Sequence, residues 1–534
     1  MERDEMPDLA EMAAQAERNW PGDVQAWVDR RTPLCELRCP PSEILPEVVR
    51  WLVVELEYRF AGLIVEEEQD EWDLRYLFYS IHGKPGWARL RVRQPLERPT
   101  FPSISAAVHA ADWHEREAED LFGVAFEGHP RLGDFVLHDE LWQEAIAPMR
   151  RDFDERAALE ERKPDLEWRP RRIVHEPGAF AMPIGPVYAG VTESAQFLLE
   201  TVGEDVIRAF PRLFYKYRAI EKIAEGRTVD DCLLLAERFA ATTAFAHALA
   251  FCRAVETICR VKIPPRARLL RVLVAELERF RHHAGVIHDI CESTALSVAA
   301  SQAAIIEEDL LRLCCELTGH RYLFGLAIPG GLSCDLKDSD CIGAVETAGQ
   351  ILSKLRDLEE GLRYSSSFLD RLEGVGIISL QDAREFGLVG PIARASGLEG
   401  DLRQAQPYSG YEDFVFDAAL EREGDGFARL RVLIAEAEEA VRILDQVPAR
   451  LKAGAVSAPV VLQAGRALGW VEAPRGAAFH GVHLGEGGIV QRYRAIMPSF
   501  VNWHGFHLAA ENFAFQDFPI ILATLGLSVA ENDR

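Results

Sequence analysis

The chain has 534 residues, 48% hydrophobic and 27% charged, with a formal net charge of −26. That composition supports a sizeable packed core and excludes a disordered, collagen-like or disulfide-scaffold chain. The length exceeds what one core usually supports, so two or more domains are expected, and 85 acidic against 59 basic residues exclude nucleic acid as the partner.

Residues 1–20 have no apolar centre, so no signal peptide is expected. No apolar run reaches the roughly 20 residues of a membrane span; Phe518 to Ala530 comes nearest. The ten cysteines form no CxxC pair and read as reduced thiols in a cytoplasmic setting. From about 40 to 148 the pattern mixes strand and helix. Glu55 to Val65 carries a helix end and an apolar run, while Trp72 to His82 and Trp87 to Val92 alternate with the strand period. Ile104 to Phe122 reads as a helix closed by Gly123. The charged, proline-bearing stretch Arg150 to Arg172 predicts a boundary. Pro183 to Phe197 reads as extended with turns. Cys232 to Cys259, Arg266 to Ser293, Val298 to Glu316 and Ile342 to Leu372 keep helical spacing and predict a bundle. Residues 456–494 predict a small β element, and Trp503 to Leu527 is largely apolar. The fold class is therefore α+β: an α/β domain over 1–149, a charged linker over 150–174, and a mainly helical domain with small β elements over 175–534.

Two sets of motifs carry a resemblance. WHEREAEDLFGVAFEGHPRL, Trp113 to Leu132, resembles the signature of the 30-kDa subunit of respiratory complex I. The resemblance implies a segment that docks this domain against the larger partner domain. Beyond it stand MPIGPVYAGVTE (182–193), YRAIEKIAE (217–225), AERFAATTAFAHALAFCRAVE (236–256), ELERFRHH (276–283), GLVGPIARASGLEGDLR (387–403), EAPRG (472–476) and DFP (517–519). In this order they resemble the complex I 49-kDa subunit and the large subunit of nickel–iron hydrogenases. The fusion of the two parts resembles membrane-bound hydrogenases of the formate hydrogenlyase type and some complex I versions.

The departures bear on function. Hydrogenases of this kind hold nickel and iron with four thiolates from two CxxC motifs, soft ligands for those metals. By alignment those positions are Ala240, Thr243, Ser528 and Glu531, and all four thiols are absent. Cys252 lies nine residues beyond Thr243, about 13 Å along a helix, and does not replace them. Thr243, Ser528, Glu531 and His247 offer a harder donor set that suits magnesium or manganese, yet satisfied core polar groups are the commoner fate of such residues. The sequence stops at Arg534, without the cleaved extension of many nickel enzymes, which fits a chain expected to need no metal maturation. No metal and no iron–sulfur cluster is expected on this chain.

Without nickel, the resemblance to complex I implies a quinone cavity. The residues that align with its surroundings are Tyr215, Tyr217 and Gln196, with Tyr188 at the earlier Gly-Pro-x-His position. Phenols and amides hydrogen-bond a carbonyl, and they equally pack a partly polar core. An amide does not deliver a proton as an imidazolium does. Arg475 in EAPRG and His247 complete the candidate acceptor cavity. Glu221, Glu276, Arg279, His283, Arg394, Asp401 and Arg403 also fall at family positions. For Glu276, Arg279 and Arg394 the favoured reading is buried ion pairs that fix helix registry, ahead of proton relay. The resemblance further implies partners: an iron–sulfur small subunit, a ferredoxin-like subunit and antiporter-like membrane subunits. It places the chain peripherally, on the cytoplasmic side of the inner membrane. The expected role is a nickel-free peripheral-arm subunit that couples electron transfer to ion movement; a non-catalytic scaffold is the alternative.

Overall fold

The computed structural model describes residues 8–29, 32–82, 86–142, 146–169, 175, 177–187 and 193–534. Tyr188 and the linker residues 170–174 lie outside the described residues.

The N-terminal region is strand-rich. Five strands, Gln25–Asp29, Leu34–Cys39, Trp87–Pro95, Glu71–Tyr79 and Arg59–Glu68, form one sheet in that spatial order. The pair Leu34–Cys39 and Trp87–Pro95 is parallel and the other pairs are antiparallel. Alternation explains how Glu71–Tyr79 is used. Trp72, Leu74, Tyr76 and Phe78 face the main core. On the opposite face Leu77 and Tyr79 pack with Val389, Ala477, Phe479 and Ile496 of the C-terminal region. Asp73 and Arg75 share that second face and are buried as ion pairs with Arg91 and Glu66. The sheet thus has no solvent face over these strands. The WHEREAEDLF helix spans Asp112–Phe122, with Gly123 (φ 71°) closing it in the left-handed region. It starts later than its apolar spacing predicts, because Glu115 bonds Ser103 Oγ and the Ile104 amide at 2.8 Å and folds 103–108 back as a turn.

The C-terminal region is mainly helical. Pro265–Ser293 is its central helix, flanked by Ala244–Cys259, Ser297–Thr318, Asp338–Arg363 and Gly426–Leu444. Two sheets accompany the bundle. One has four strands in the order Glu511–Ala514, Asp205–Arg212, Gln196–Val202, Ala179–Ile184; the other is Gly465–Ala473, Gly476–Leu484, Val490–Ile496. No helix among the described residues is long and apolar enough to cross a membrane.

The signature helix docks the two regions. Glu117 lies between the guanidinium groups of Arg494 and Arg534, 2.7 Å from the latter, and Glu221 meets both arginines at 3.3 and 3.2 Å. All four are buried. A charge buried without a partner costs several kcal/mol, so this alternation favours one relative placement of the regions.

Candidate functional site

The helical pattern from Cys232 to Cys259 is not one helix. Val229–Arg238 ends, residues 241–243 make a short turn, and Ala244–Cys259 begins. The break is held from outside. Glu278 on the central helix accepts hydrogen bonds from the Phe245 and Ala246 amides at 2.8 and 2.9 Å, capping the new helix start. Periodicity carries no trace of that tertiary cap. A second break lies at Gly526 (φ 58°), where helix Phe518–Leu525 stops and the chain turns through Ser528 to Glu531. Glu193 braces this turn from Ser528 Oγ (3.1 Å) and the Val529 amide.

These two breaks bring the four aligned positions into one place. Thr243 Oγ1 donates to Glu531 Oε1 at 3.1 Å across 288 residues of sequence. Arg475 Nη1 donates to the same oxygen at 3.1 Å and to Thr242 Oγ1 at 3.1 Å, while its Nε holds the Gly526 carbonyl at 2.8 Å. The Ser499 amide meets Glu531 Oε2 at 3.2 Å, and the Glu531 amide meets Ser528 Oγ at 3.3 Å. Ala240 is buried beside the break. Arg475 sits on the turn between Gly465–Ala473 and Gly476–Leu484. That turn presses on Gly390 (φ 68°), where a Cβ would come within 2.1 Å of the Arg475 carbonyl, so only glycine fits.

Burial pushes the Glu531 carboxyl up, but Arg475, His247 and the Ser499 amide outweigh it and hold it near 2. The nickel–iron centre that the resemblance implies is held by four soft thiolates. Here one motif offers a methyl and a hydroxyl, the other a hydroxyl and a carboxylate. The carboxylate is neutralised by an internal guanidinium. This donor set does not suit nickel.

His247 is fully buried, with Nε2 3.5 Å from Glu531 and Nδ1 3.3 Å from His480 Nε2. His480 Nδ1 lies 2.8 Å from the Tyr493 hydroxyl. Glu531, His247, His480 and Tyr493 therefore form a buried row; the last two were not among the sequence candidates, because a histidine and a tyrosine in a strand carry no spacing signal. Burial and the neighbouring His247 and Arg534 charges keep His480 well below the ordinary imidazole value.

The remaining candidates stand elsewhere. Tyr215 donates to Gln196 Oε1 at 3.1 Å, with Arg212 Nη1 3.5 Å from its hydroxyl and the His138 ring 4.7 Å away. This half-buried pair sits where the four-stranded sheet meets the N-terminal region. The Tyr217 ring is half-buried and its hydroxyl is buried without a hydrogen bond. Burial and the charges of Glu221 and Glu117 raise that phenol far above its usual value. Among the described residues no hydrogen bond links the Tyr215–Gln196 pair, Tyr217, and His247 with Arg475 to one another, although the chain neighbours Glu193 and Arg218 both bond the 528–533 turn.

The family-position charges form a separate network in the bundle. Arg403 bridges Glu276 (3.0 Å) and Asp401 (2.7 Å); Arg394 bridges Glu436 (2.8 Å) and Glu472 (2.9 Å); Arg279 reaches Glu276 at 3.2 Å and His283 reaches Glu436 at 2.9 Å. These pairs tie the central helix to Gly390–Ala395, Gly426–Leu444 and the three-stranded sheet, as registry contacts do.

A strand-rich N-terminal region joined through its signature helix to this bundle defines a fused chain of complex I 30-kDa and 49-kDa type domains with hydrogenase large-subunit similarity. The family described as respiratory-chain NADH dehydrogenase 30 Kd subunit matches residues 38–158, the 49 Kd subunit family matches 296–463, and the nickel-dependent hydrogenase family matches 218–289. Among its relatives, formate hydrogenlyase subunit 5 of Escherichia coli (strain K12) is 29% identical over 502 residues, 92% of this chain and 87% of that protein. Hydrogenase-4 component G of the same organism is 26% identical over 516 residues, 95% and 89% of the two chains. The fused C/D-type NADH-quinone oxidoreductase subunit of Bdellovibrio bacteriovorus is 27% identical over 418 residues, 76% and 73%. The chain is similar to complex I-like subunits, and its relatives are subunits of larger complexes.

Proposed function

We propose that this chain is a nickel-free peripheral-arm subunit of a membrane-associated, complex I-like oxidoreductase that couples electron transfer to ion movement. The Glu531–Arg475 pair carries the reading: at the converged ligand positions a carboxylate replaces a thiolate, and a guanidinium from the same chain balances it. The charge at that position is thereby balanced from within the chain. Electrons then travel on iron–sulfur clusters of partner subunits, an iron–sulfur small subunit and a ferredoxin-like subunit, with antiporter-like membrane subunits below. Such an assembly holds the chain on the cytoplasmic face of the inner membrane. A quinone-type acceptor belongs to this proposal, with Tyr215, Tyr217, Gln196, His247 and Arg475 as its candidate contacts. Gln196 accepts from Tyr215 and keeps its amide N–H groups to offer to a carbonyl.

Purification of the native complex in mild detergent, followed by mass spectrometry, metal analysis and quinone reductase assays, tests this reading. The expected result is the named partner types, substoichiometric nickel, and quinone reduction that falls in Arg475→Ala and Tyr215→Phe while the complex stays assembled. Stoichiometric nickel would overturn the nickel-free site, and wild-type rates in both variants would overturn the acceptor contacts. That no hydrogen bond among the described residues links the five candidates into one set favours a second reading, a non-catalytic scaffold. An intact complex without quinone reduction by this arm would support it.

A further inference from the structure

Beside Arg475 and the Gly526 turn lies a small pocket of about 20 Å³. Val286, Pro391, Ile392, Leu433 and Pro474 give it apolar walls, and His282 and Arg475 supply its polar edge. Two other polar side chains reach it, and both are satisfied. Asn502 is paired in both directions with the Val389 backbone at 3.0 and 3.1 Å, and Thr524 serves Arg429 and the Ile521 carbonyl. His282 is different. It is only 4% exposed, and its Nε2 has no hydrogen-bond partner among the described residues. A buried polar atom left unmatched is costly and calls for a partner.

The hydrogen-bond chain behind the ring fixes what kind of partner. Glu436 is ionised, because Arg394, His283 and Arg279 outweigh the effect of burial and hold it near 2, so it only accepts. His283 must then donate its Nε2–H to Glu436, at 2.9 Å. Burial keeps His283 neutral, so its Nδ1 is bare. That nitrogen lies 3.4 Å from His282 Nδ1, which therefore carries the proton. His282, kept neutral by burial and the Arg475 charge, is left with a bare lone pair on Nε2. Arg475 lines the same pocket, and no hydrogen bond among the described residues engages its Nη2.

From this geometry we infer that the pocket is a binding site for one hydroxyl group, whose O–H donates to His282 Nε2 while its oxygen faces the Arg475 guanidinium. The guanidinium excludes an ammonium or a metal ion. The bare lone pair excludes a carbonyl or a carboxylate, and the volume admits little beyond one oxygen (about one water). A tightly held water and the hydroxyl end of an organic ligand share this chemistry. The inference does not depend on the acceptor reading above, since it needs no partner subunit and no electron transfer.

The full-length chain with ¹⁵N-labelled histidine tests it directly, with phenol as the organic probe and a crystal structure in parallel. The wild type is expected to show His282 protonated on Nδ1 and hydrogen-bonded at Nε2. Should the site serve organic hydroxyls, phenol moves the Nε2 resonance saturably, and His282→Phe weakens phenol binding at least tenfold. Should it hold water alone, phenol leaves the resonance unmoved and the crystal structure shows an ordered oxygen within hydrogen-bond distance of Nε2. A proton on Nε2 would overturn the inference. So would a bare Nε2 with no oxygen beside it and no response to phenol. The tautomer measurement needs only the wild type, so a misfolded variant does not blunt the test.

Discussion

Two buried charged clusters sit within this one region and behave differently. In the bundle network Glu276, Asp401, Glu436 and Glu472 face Arg279, Arg394 and Arg403, and the pairs span several helices and a sheet. Around Glu531 there is one carboxylate and one guanidinium, surrounded by hydroxyls and imidazoles. The first cluster is a charge network that joins several elements, whereas the second is a single ion pair among hydroxyls and imidazoles.

Breaking the bundle network should cost most. Arg394→Ala removes the guanidinium that Glu436 and Glu472 share, leaving Glu436 to His283 and Arg279 and Glu472 to the Leu402 amide, and about 3–5 kcal/mol of stability should disappear; denaturant unfolding of the purified chain reads this, and a loss below about 1 kcal/mol would show that the network is not a registry device. The site pair gives a sharper contrast. Arg475→Ala should destabilise by about 3 kcal/mol, yet Arg475→Ala with Glu531→Ala should recover most of it, because removing both charges strands neither. A double variant as unstable as the single one would mean that the two residues are not coupled.

Acid titration separates the clusters next. Glu531 falls from an ordinary 4.5 to about 2 in the folded chain. Its folded value is the lower one, so its contribution is complete above about pH 4.5 and lost as the pH falls towards 2; that is about 3 kcal/mol at most. The difference in unfolding free energy between wild type and Glu531→Gln should therefore shrink across that window, and a pH-independent difference would reject the ionised assignment. At the seam, Glu117→Gln should cost about 1.5–3 kcal/mol through its charged hydrogen bonds to Arg494 and Arg534. It should also speed proteolysis between the two regions. The smallest effect is expected at Thr243→Val, about 1 kcal/mol, from one lost hydrogen bond to Glu531.

The long helices, the strand period and the signature segment were legible because each repeats a local pattern that its own residues satisfy. The start of the signature helix was not, since Glu115 captures Ser103 and Ile104 through a side chain that spacing does not see. The break at residues 239–243 was hidden likewise, because Glu278 supplies the cap from another helix. Among site residues, Arg475, His247, Thr243 and Glu531 follow from motif positions and lie together. Tyr215, Gln196 and Tyr217 follow in the same way, and no hydrogen bond among the described residues joins them to that set. His480, Tyr493 and His282 had no signal in spacing, because their significance lies in which nitrogen meets which neighbour.

Residue types and their order were enough to show the kind of chain this is: fused 30-kDa and 49-kDa type domains with hydrogenase large-subunit similarity, and a helical bundle beside a strand-rich region. Those properties can be read one segment at a time. That Glu531 is answered by Arg475, that the two motif remnants touch, and that His282 Nε2 is buried with no hydrogen-bond partner among the described residues became visible only in the folded chain. Pairing, burial and tautomer depend on contacts between residues hundreds of positions apart, and no local pattern encodes them.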